Sequence, residues 1–492
     1  MQRHLKRSSI ALLAALIVLV VADGAASATP KPASVGSTPA ATYDGNNSRT
    51  GYTTTTSITP ANVGGLTQKW RTAVSAPISG QPIVDDGVVY WGDWNGIMHA
   101  VRLSSGKALW STSLGRTPKP PACVYGLATL GVASSATVGT LNGRKVLWVG
   151  GGAGQLVALN ASDGSIIWRT QLRTEAGDSI WSSPALYKGS IYVGVASFQG
   201  CPDQFGRIVR VNAATGAVQK AINFASILPS KCKGPGAWSS ASVDPTQNSI
   251  YIDTSNDLCE SQYQDAILKL DPSTLGMQSI WQVPENQHPA DSDMGASPML
   301  FTATIGGVQR QLVGAENKNG VYYVLDRNNL AAGPLWQYQV ESQATFSVGL
   351  SVFSQNCNNT VSTSSWAGNG SPIMVAGVSL NASGKGCIGT MTALNPATGQ
   401  VLWQTPLAGG VEGAVTQIPG LVAVGAGRDF AVLSSTTGKT LFSYTEPPLK
   451  RRNSGIFGAP TYWFWAPPTV SGNTIIVANQ DGTLRAFTPS SK

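Results

Sequence analysis

The sequence predicts an all-β eight-bladed propeller, each blade a four-stranded antiparallel sheet, with the ring closed by an N-terminal strand. Three observations predict it. A phrase recurs along the chain: a short apolar strand, an Asn or Asp, a few small residues, a Gly and then an aromatic, as in HAVRLSSGKALW (His99 to Trp110), LVALNASDGSIIW (Leu156 to Trp168) and MTALNPATGQVLW (Met391 to Trp403). Two further strand-like runs precede the copies. The last copy, LRAFTPSS from Leu484, breaks off after its first half, while an unmatched strand with Trp70 stands ahead of the first complete unit.

In chain order, residues 1–28 read as a secretory signal peptide. Arg3, Lys6 and Arg7 precede an apolar run from Ile10 to Ala22, and Ala26-Ser27-Ala28 is a small-residue cleavage pattern. The run is shorter than the ~20 residues a membrane-spanning helix needs, so no stable membrane insertion is expected. Residues 29–42, rich in Pro, Ser, Thr and Ala, form a flexible leader, and residues 43–489 form the propeller. The expected location is secreted, periplasmic or cell-surface. Removing Arg3, Lys6, Arg7 and Asp23 lowers the formal charge from +8 to +6. That is mild for this length, and the basic residues are scattered, so no nucleic-acid partner is expected.

Each phrase is a hairpin, with alternation before the Asn or Asp, a turn whose Gly takes positive φ, and an aromatic on the return strand. The turn glycines are Gly106, Gly164, Gly216, Gly276, Gly333, Gly399 and Gly438, and the unfinished copy from Leu484 makes the eighth unit. Upstream runs such as GQPIVDDG with VVYWGDW, and SSPALYKG with SIYVGVAS, supply strands A and B before the hairpin's C and D. Leu66 to Ala73 is expected to complete the eighth blade, so that pairing of the two ends of the chain leaves no open edge.

In such a blade the D-to-A and B-to-C connections open on one face of the ring, and the A-to-B and C-to-D turns on the other. The long segments all belong to the first kind, among them residues 117–132, 198–205, 225–237, 258–264, 284–295, 340–366 and 380–387. Function is expected on that elaborated face. All six cysteines lie there, an even number in a chain read as exported, which predicts disulfides. The expected pairs are Cys357–Cys387, Cys232–Cys259 and Cys123–Cys201, with Cys201–Cys232 as an alternative. No CxxCH motif occurs, so no covalently attached haem is expected, and three histidines give little basis for zinc.

The repeated phrase, together with the opening YDGNNSRTGYTTTTSITPANVGGLTQKW, resembles the pyrroloquinoline quinone (PQQ)-dependent alcohol dehydrogenases and their polyvinyl-alcohol-dehydrogenase-like relatives. The likeness runs from Tyr43 to Pro489. Non-enzymatic propellers share the phrase, so the resemblance implies activity only through its site segments. WSSASVDPTQNSIYIDTSN is similar to the segment in which a Trp floors the cofactor and an Asn one strand later ligates calcium, which implies those roles for Trp238 and Asn256. DSDMGASP resembles the segment whose first Asp is the catalytic base, here Asp291, which also stands as a metal ligand. ENKNGVYYVLDR resembles the segment whose cation contacts the quinone oxygens, here Lys318. The family's calcium-ligating Glu has no counterpart in FQGCPDQ, between Ser197 and Gly206, where Asp203 is the substitute; its vicinal Cys pair is replaced by a lone Cys123.

The resemblance therefore implies PQQ, Ca²⁺, a small or polymeric alcohol as substrate and an external electron acceptor. The residue types suit that chemistry: a carboxylate takes the alcohol proton, a cation stabilises charge on the quinone, calcium takes oxygen ligands, and an aromatic floor stacks on a planar ring. A non-catalytic propeller serving as a binding scaffold is the alternative.

Overall fold

The computed structural model describes residues 34–36, 41–119, 129–197, 206–229, 232–257, 259–288, 292–340, 361–380, 387–447 and 463–490. The chain from Ser34 onward is one unit. Eight sheets pair their strands in the order A-B-C-D, every pairing antiparallel. Strands A begin at Ile83, Thr137, Ala185, Ser242, Met299, Ser365, Thr416 and Thr469. Strand D is the outer rim: in Ile166–Gln171 and Pro334–Gln339 exposed and half-buried residues alternate, whereas strands such as Leu421–Ala426 are buried throughout. Each apolar cluster spans neighbouring blades; Leu156 and Ala158 of blade 2, for instance, pack with Val193 and Val209 of blade 3. No blade can bury its own faces, and the ring is what completes the core.

The repeated phrase is the clasp between blades. Trp70, Trp110, Trp168, Trp336 and Trp403 on strands D each lie over the turn glycine of the next blade: Gly106, Gly164, Gly216, Gly399 and Gly438. A Cβ on those glycines would come within 2.4–2.7 Å of the indole, and their φ lies between +67° and +76°. Both facts require Gly. Each indole Nε1 also donates to a carbonyl of that next blade, at 2.8–3.2 Å.

Blade 4 departs from this expectation. Gly276 is not in the left-handed region; Leu275 is, at φ +57°. The cause lies in blade 3, whose strand D, Val218–Asn223, carries no Trp. With no indole to admit, the turn needs no bare Cα, and buried Leu275 joins the cluster that fills the space.

Leu66–Ala73 pairs with Thr483–Pro489 and completes the eighth blade as strand D. The segment before it laces the ring together. Ala41 bridges Val138 of blade 2. The Asn47 side chain donates to Leu186 O of blade 3. The carbonyls of Asn47, Ser48, Thr50, Gly51 and Thr55 then accept from Val243, Leu300, Trp366, Gln417 and Gly472, which belong to blades 4, 5, 6, 7 and 8 in turn. Asp44 N donates to Gln81 Oε1 of blade 1. One stretch thus satisfies innermost-strand backbone groups around the whole ring and then closes it. The Ser34 N–H donates to Asn142 Oδ1 of blade 2. Among the described residues no helix is long and apolar enough to cross a membrane.

Candidate functional site

Just before strand A, each blade turns in toward the axis on the elaborated face. Hydroxyls stitch this layer together: Ser135 N donates to Ser183 Oγ, Ser183 N to Ser240 Oγ, Ser240 N to Ser297 Oγ and Ser297 N to Thr363 Oγ1, all at 2.9–3.0 Å. These residues stand two positions before strand A. Two positions further back lies a ring of equivalent residues: Trp181 in blade 3, Trp238 in blade 4, Gly295 in blade 5, Val361 in blade 6, Glu412 in blade 7 and Trp465 in blade 8, with Ser79 and Ala133 in blades 1 and 2. Glu412 is its one charged member. Trp94 and Trp181 pack edge to face, 5.6 Å between centroids, and Trp465 joins their cluster.

Trp238 packs over its neighbour. A Cβ on Gly295 would sit 2.3 Å from its Cη2. Lys318, immediately after strand B of blade 5, holds its Nζ 5.7 Å from the indole centroid, within cation–π range. Asp293 organises the surroundings. Its Oδ2 accepts from Lys318 Nζ, its Oδ1 accepts from the Asn256 N–H at 3.0 Å, and its carbonyl accepts from the Lys318 N–H at 3.0 Å. Asp293 and Lys318 are both buried. A buried cation and carboxylate persist only as a hydrogen-bonded pair, because either alone would carry its full desolvation cost.

The structure thus brings Trp238, Asn256 and Lys318 together, from strand connections in blades 4 and 5. Asp291, Asp203, Cys123, Cys201 and Cys357 lie outside the described residues, as does the side chain of Cys387. Cys232 and Cys259 are joined, with Cα atoms 5.6 Å apart. That bond ties the entry to blade 4 to the loop after its strand B, one turn from Asn256.

Behind Asp293 lies a second acidic group. Asp265 accepts from Ser292 Oγ at 2.9 Å and lies 3.5 Å from His288 Nδ1. Burial, reinforced by the Asp293 carboxylate, pushes its carboxyl up to about 8. Across the floor, Glu412 is 7% exposed and its Oε2 has no hydrogen-bond partner. Burial raises its carboxyl to about 8, opposed by the Lys318 ammonium.

Sequence reasoning passed over Asp293 and Glu412. The first was legible as the second acid of the D-x-D segment. The second shows only when VEGAVT is aligned with WSSAS by distance from strand A. Among the described residues, no three carboxylate, imidazole or thiolate side chains converge to hold a metal ion. A cation would need Asp291 or Asp203.

The family model described as outer membrane protein assembly factor BamB, PQQ_2, matches residues 61–274 and 389–491, well over half of the chain. The chain belongs to the PQQ_2 family. Among relatives of this PQQ_2 protein, the polyvinylalcohol dehydrogenase of a Pseudomonas species is 22% identical over 482 residues, covering 85% of this chain and 70% of that protein. The quinohemoprotein alcohol dehydrogenase ADH IIB of Pseudomonas putida is 28% identical over 290 residues, covering 50% of this chain and 39% of that one. The chain therefore spans well under half of that second relative. Among solved structures, quinohemoprotein alcohol dehydrogenase from Comamonas testosteroni superposes with TM-score 0.69 at 16% identity, covering 91% of this chain and 80% of that one. Agreement at that identity establishes the propeller fold.

Proposed function

We propose that the protein is an exported quinoprotein that oxidises an alcohol with PQQ and passes the electrons to an external acceptor. The observation that carries this reading is the Lys318 ammonium held over the flat face of Trp238 by buried Asp293. A planar, anionic, aromatic quinone fits such a place: the indole offers a stacking face and the ammonium a hydrogen-bond donor at its edge. When bound, PQQ would supply the two-electron acceptor. Trp238 would hold and orient it, Lys318 would favour negative charge on its oxygens, and Asp291 would take the hydroxyl proton of the alcohol. Asp293 keeps Lys318 in position, and its bond to the Asn256 N–H fixes the loop that brings in the Asn256 side chain. The tryptophan-rich sector of blades 1, 3 and 8 limits water at the site.

Polyvinylalcohol dehydrogenase and quinohemoprotein alcohol dehydrogenase among the relatives support alcohols, small or polymeric, as the substrate class. Residues 1–28 and the Cys232–Cys259 bond support export, which N-terminal sequencing of the mature protein, expected to start at Thr29, would check. The test of activity is uptake of PQQ by the mature protein, with and without Ca²⁺, followed by quenching of tryptophan fluorescence, then dye reduction with primary, secondary and polymeric alcohols. Lys318→Met is expected to weaken uptake at least tenfold. A second reading, a non-catalytic scaffold, is favoured by the BamB description of the matching family. Absence of uptake at micromolar PQQ decides for it.

A further inference from the structure

Seven of the eight floor positions around the axis carry no charge. The eighth, Glu412, occupies in blade 7 the place that Trp238 occupies in blade 4. It reaches that place because Val411, Gly413 and Ala414 pack the backbone tightly: a Cβ on Gly413 would sit 2.2 Å from Trp465 O, and Ser362 Oγ donates to Gly413 O at 2.9 Å. The carboxyl is more than nine-tenths buried with one oxygen unpartnered. Burying such an oxygen without a partner is costly, and more so if it is ionised. Unlike the unpartnered carboxyls of Asp44 and Asp253, Glu412 belongs to the ring of positions that also holds Trp238. The neighbours from blade 6, Val361 and Ser362, and from blade 8, Trp465, are uncharged; among the described residues the charge acting on Glu412 is that of Lys318 from blade 5. The two are coupled across the floor, with no ion pair joining them.

We propose that Glu412 is a further catalytic residue of this site, exchanging a proton with the molecule bound between it and Lys318 over the Trp238 ring. This inference rests on the quinone reading above. Oxidising the alcohol breaks one C–H and one O–H bond and forms a C=O bond; a hydride carries two electrons to the acceptor and a proton goes to the base. A quinone that accepts hydride also needs one proton on oxygen. Glu412 would supply it, and the carboxylate left behind would be favoured by the Lys318 ammonium. Transfer of two electrons to the external acceptor would release two protons from the cofactor, one restoring Glu412 and the other going to water with the proton from the base. A carboxyl held neutral at pH 7 by burial, and stabilised by a nearby cation once ionised, suits a proton donor working near that pH.

The test compares wild type with Glu412→Gln, an isosteric change that keeps the neutral form. PQQ uptake, read by tryptophan fluorescence, should change less than threefold. In the protein without PQQ, infrared difference spectra over a pH titration should show carboxyls ionising near pH 8 in both proteins, Asp265 among them, with the Glu412 contribution lost from the variant. With PQQ loaded, kcat should fall about 100-fold, within the range of acid–base catalysis, KM should stay within a few-fold, and the alkaline limb of the kcat profile should disappear. Glu412→Asp should restore part of kcat and the limb. Normal uptake with unchanged kcat and an unchanged limb would overturn the proposal alone. Failure of both proteins to take up PQQ would overturn the quinone reading, and this proposal with it.

Discussion

Trp238 packs against the bare Cα of Gly295: the missing Cβ of residue 295 would come 2.3 Å from the indole Cη2 and 2.7 Å from Val361 Cγ1. Blade 5 therefore leaves bare the one Cα over which the floor of the site is laid. Without that gap, the indole would have to move from its place beside Lys318.

Gly295→Ala tests the relationship. Overpacking of this kind costs about 1–3 kcal/mol, so the melting temperature should drop by a few degrees while the ring persists. PQQ affinity, measured by fluorescence quenching, should weaken at least tenfold, a loss of about 1.4 kcal/mol. Wild-type affinity in a destabilised variant would show that the face of Trp238 is not the binding surface.

Arg49 and Asp44 stand at the centre of the lacing segment, both wholly buried. Arg49 donates to Ala241 O, Thr42 Oγ1 and Tyr43 O at 2.7–3.1 Å, while both Asp44 carboxyl oxygens lack partners. Burial lowers the Arg49 guanidinium to about 10 and raises the Asp44 carboxyl. The two substitutions should therefore be unequal. Arg49→Leu strips the Ala241 and Tyr43 carbonyls and the Thr42 hydroxyl of their donor and should cost about 3–5 kcal/mol; Asp44→Asn should cost about 1 kcal/mol or less. Thermal unfolding of both variants measures the difference, and equal losses would contradict this account of the hub.

Asp253, at the end of strand B in blade 4, is wholly buried with neither carboxyl oxygen bonded. Burial alone raises its carboxyl well above the ordinary 3.8. The sign follows: the folded protein binds a proton that the unfolded chain has released, so this stability is full below about pH 4 and is lost as pH rises through the raised value. Asp253→Asn removes the titration. Between pH 5 and 8.5 the melting temperature of wild type should fall more steeply than that of the variant. Parallel slopes would refute the assignment.

What the sequence made legible follows the local physics. The Gly–Trp phrase reports a turn and its clasp together, both carried by side chains within one hairpin and the next, so blade number and the closing strand could be read directly. The lacing segment could not: Asn47, Ser48, Thr50 and Gly51 act through backbone carbonyls, which leave no periodic pattern. Trp238, Asn256 and Lys318 stood out through family segments. Glu412 belongs to no such segment, and its position depends on where strand A of blade 7 begins, at Thr416.

The Cys232–Cys259 bond closes a loop of 27 residues that contains Trp238 and Asn256. Chain-entropy reasoning puts its contribution at about 3.5 kcal/mol for a loop of that size. Its effect should be partly local, because Cys259 N also donates to Asp257 Oδ1 at 2.8 Å, and Asp257 adjoins Asn256. Replacing both cysteines with Ser should lower the melting temperature. It should also speed amide exchange around Asn256 and Asp257, with little change in blades 1 and 8. If the loss of protection were uniform around the ring, the bond would be a general staple and would not hold the Asn256 loop against the Asp293 carboxylate.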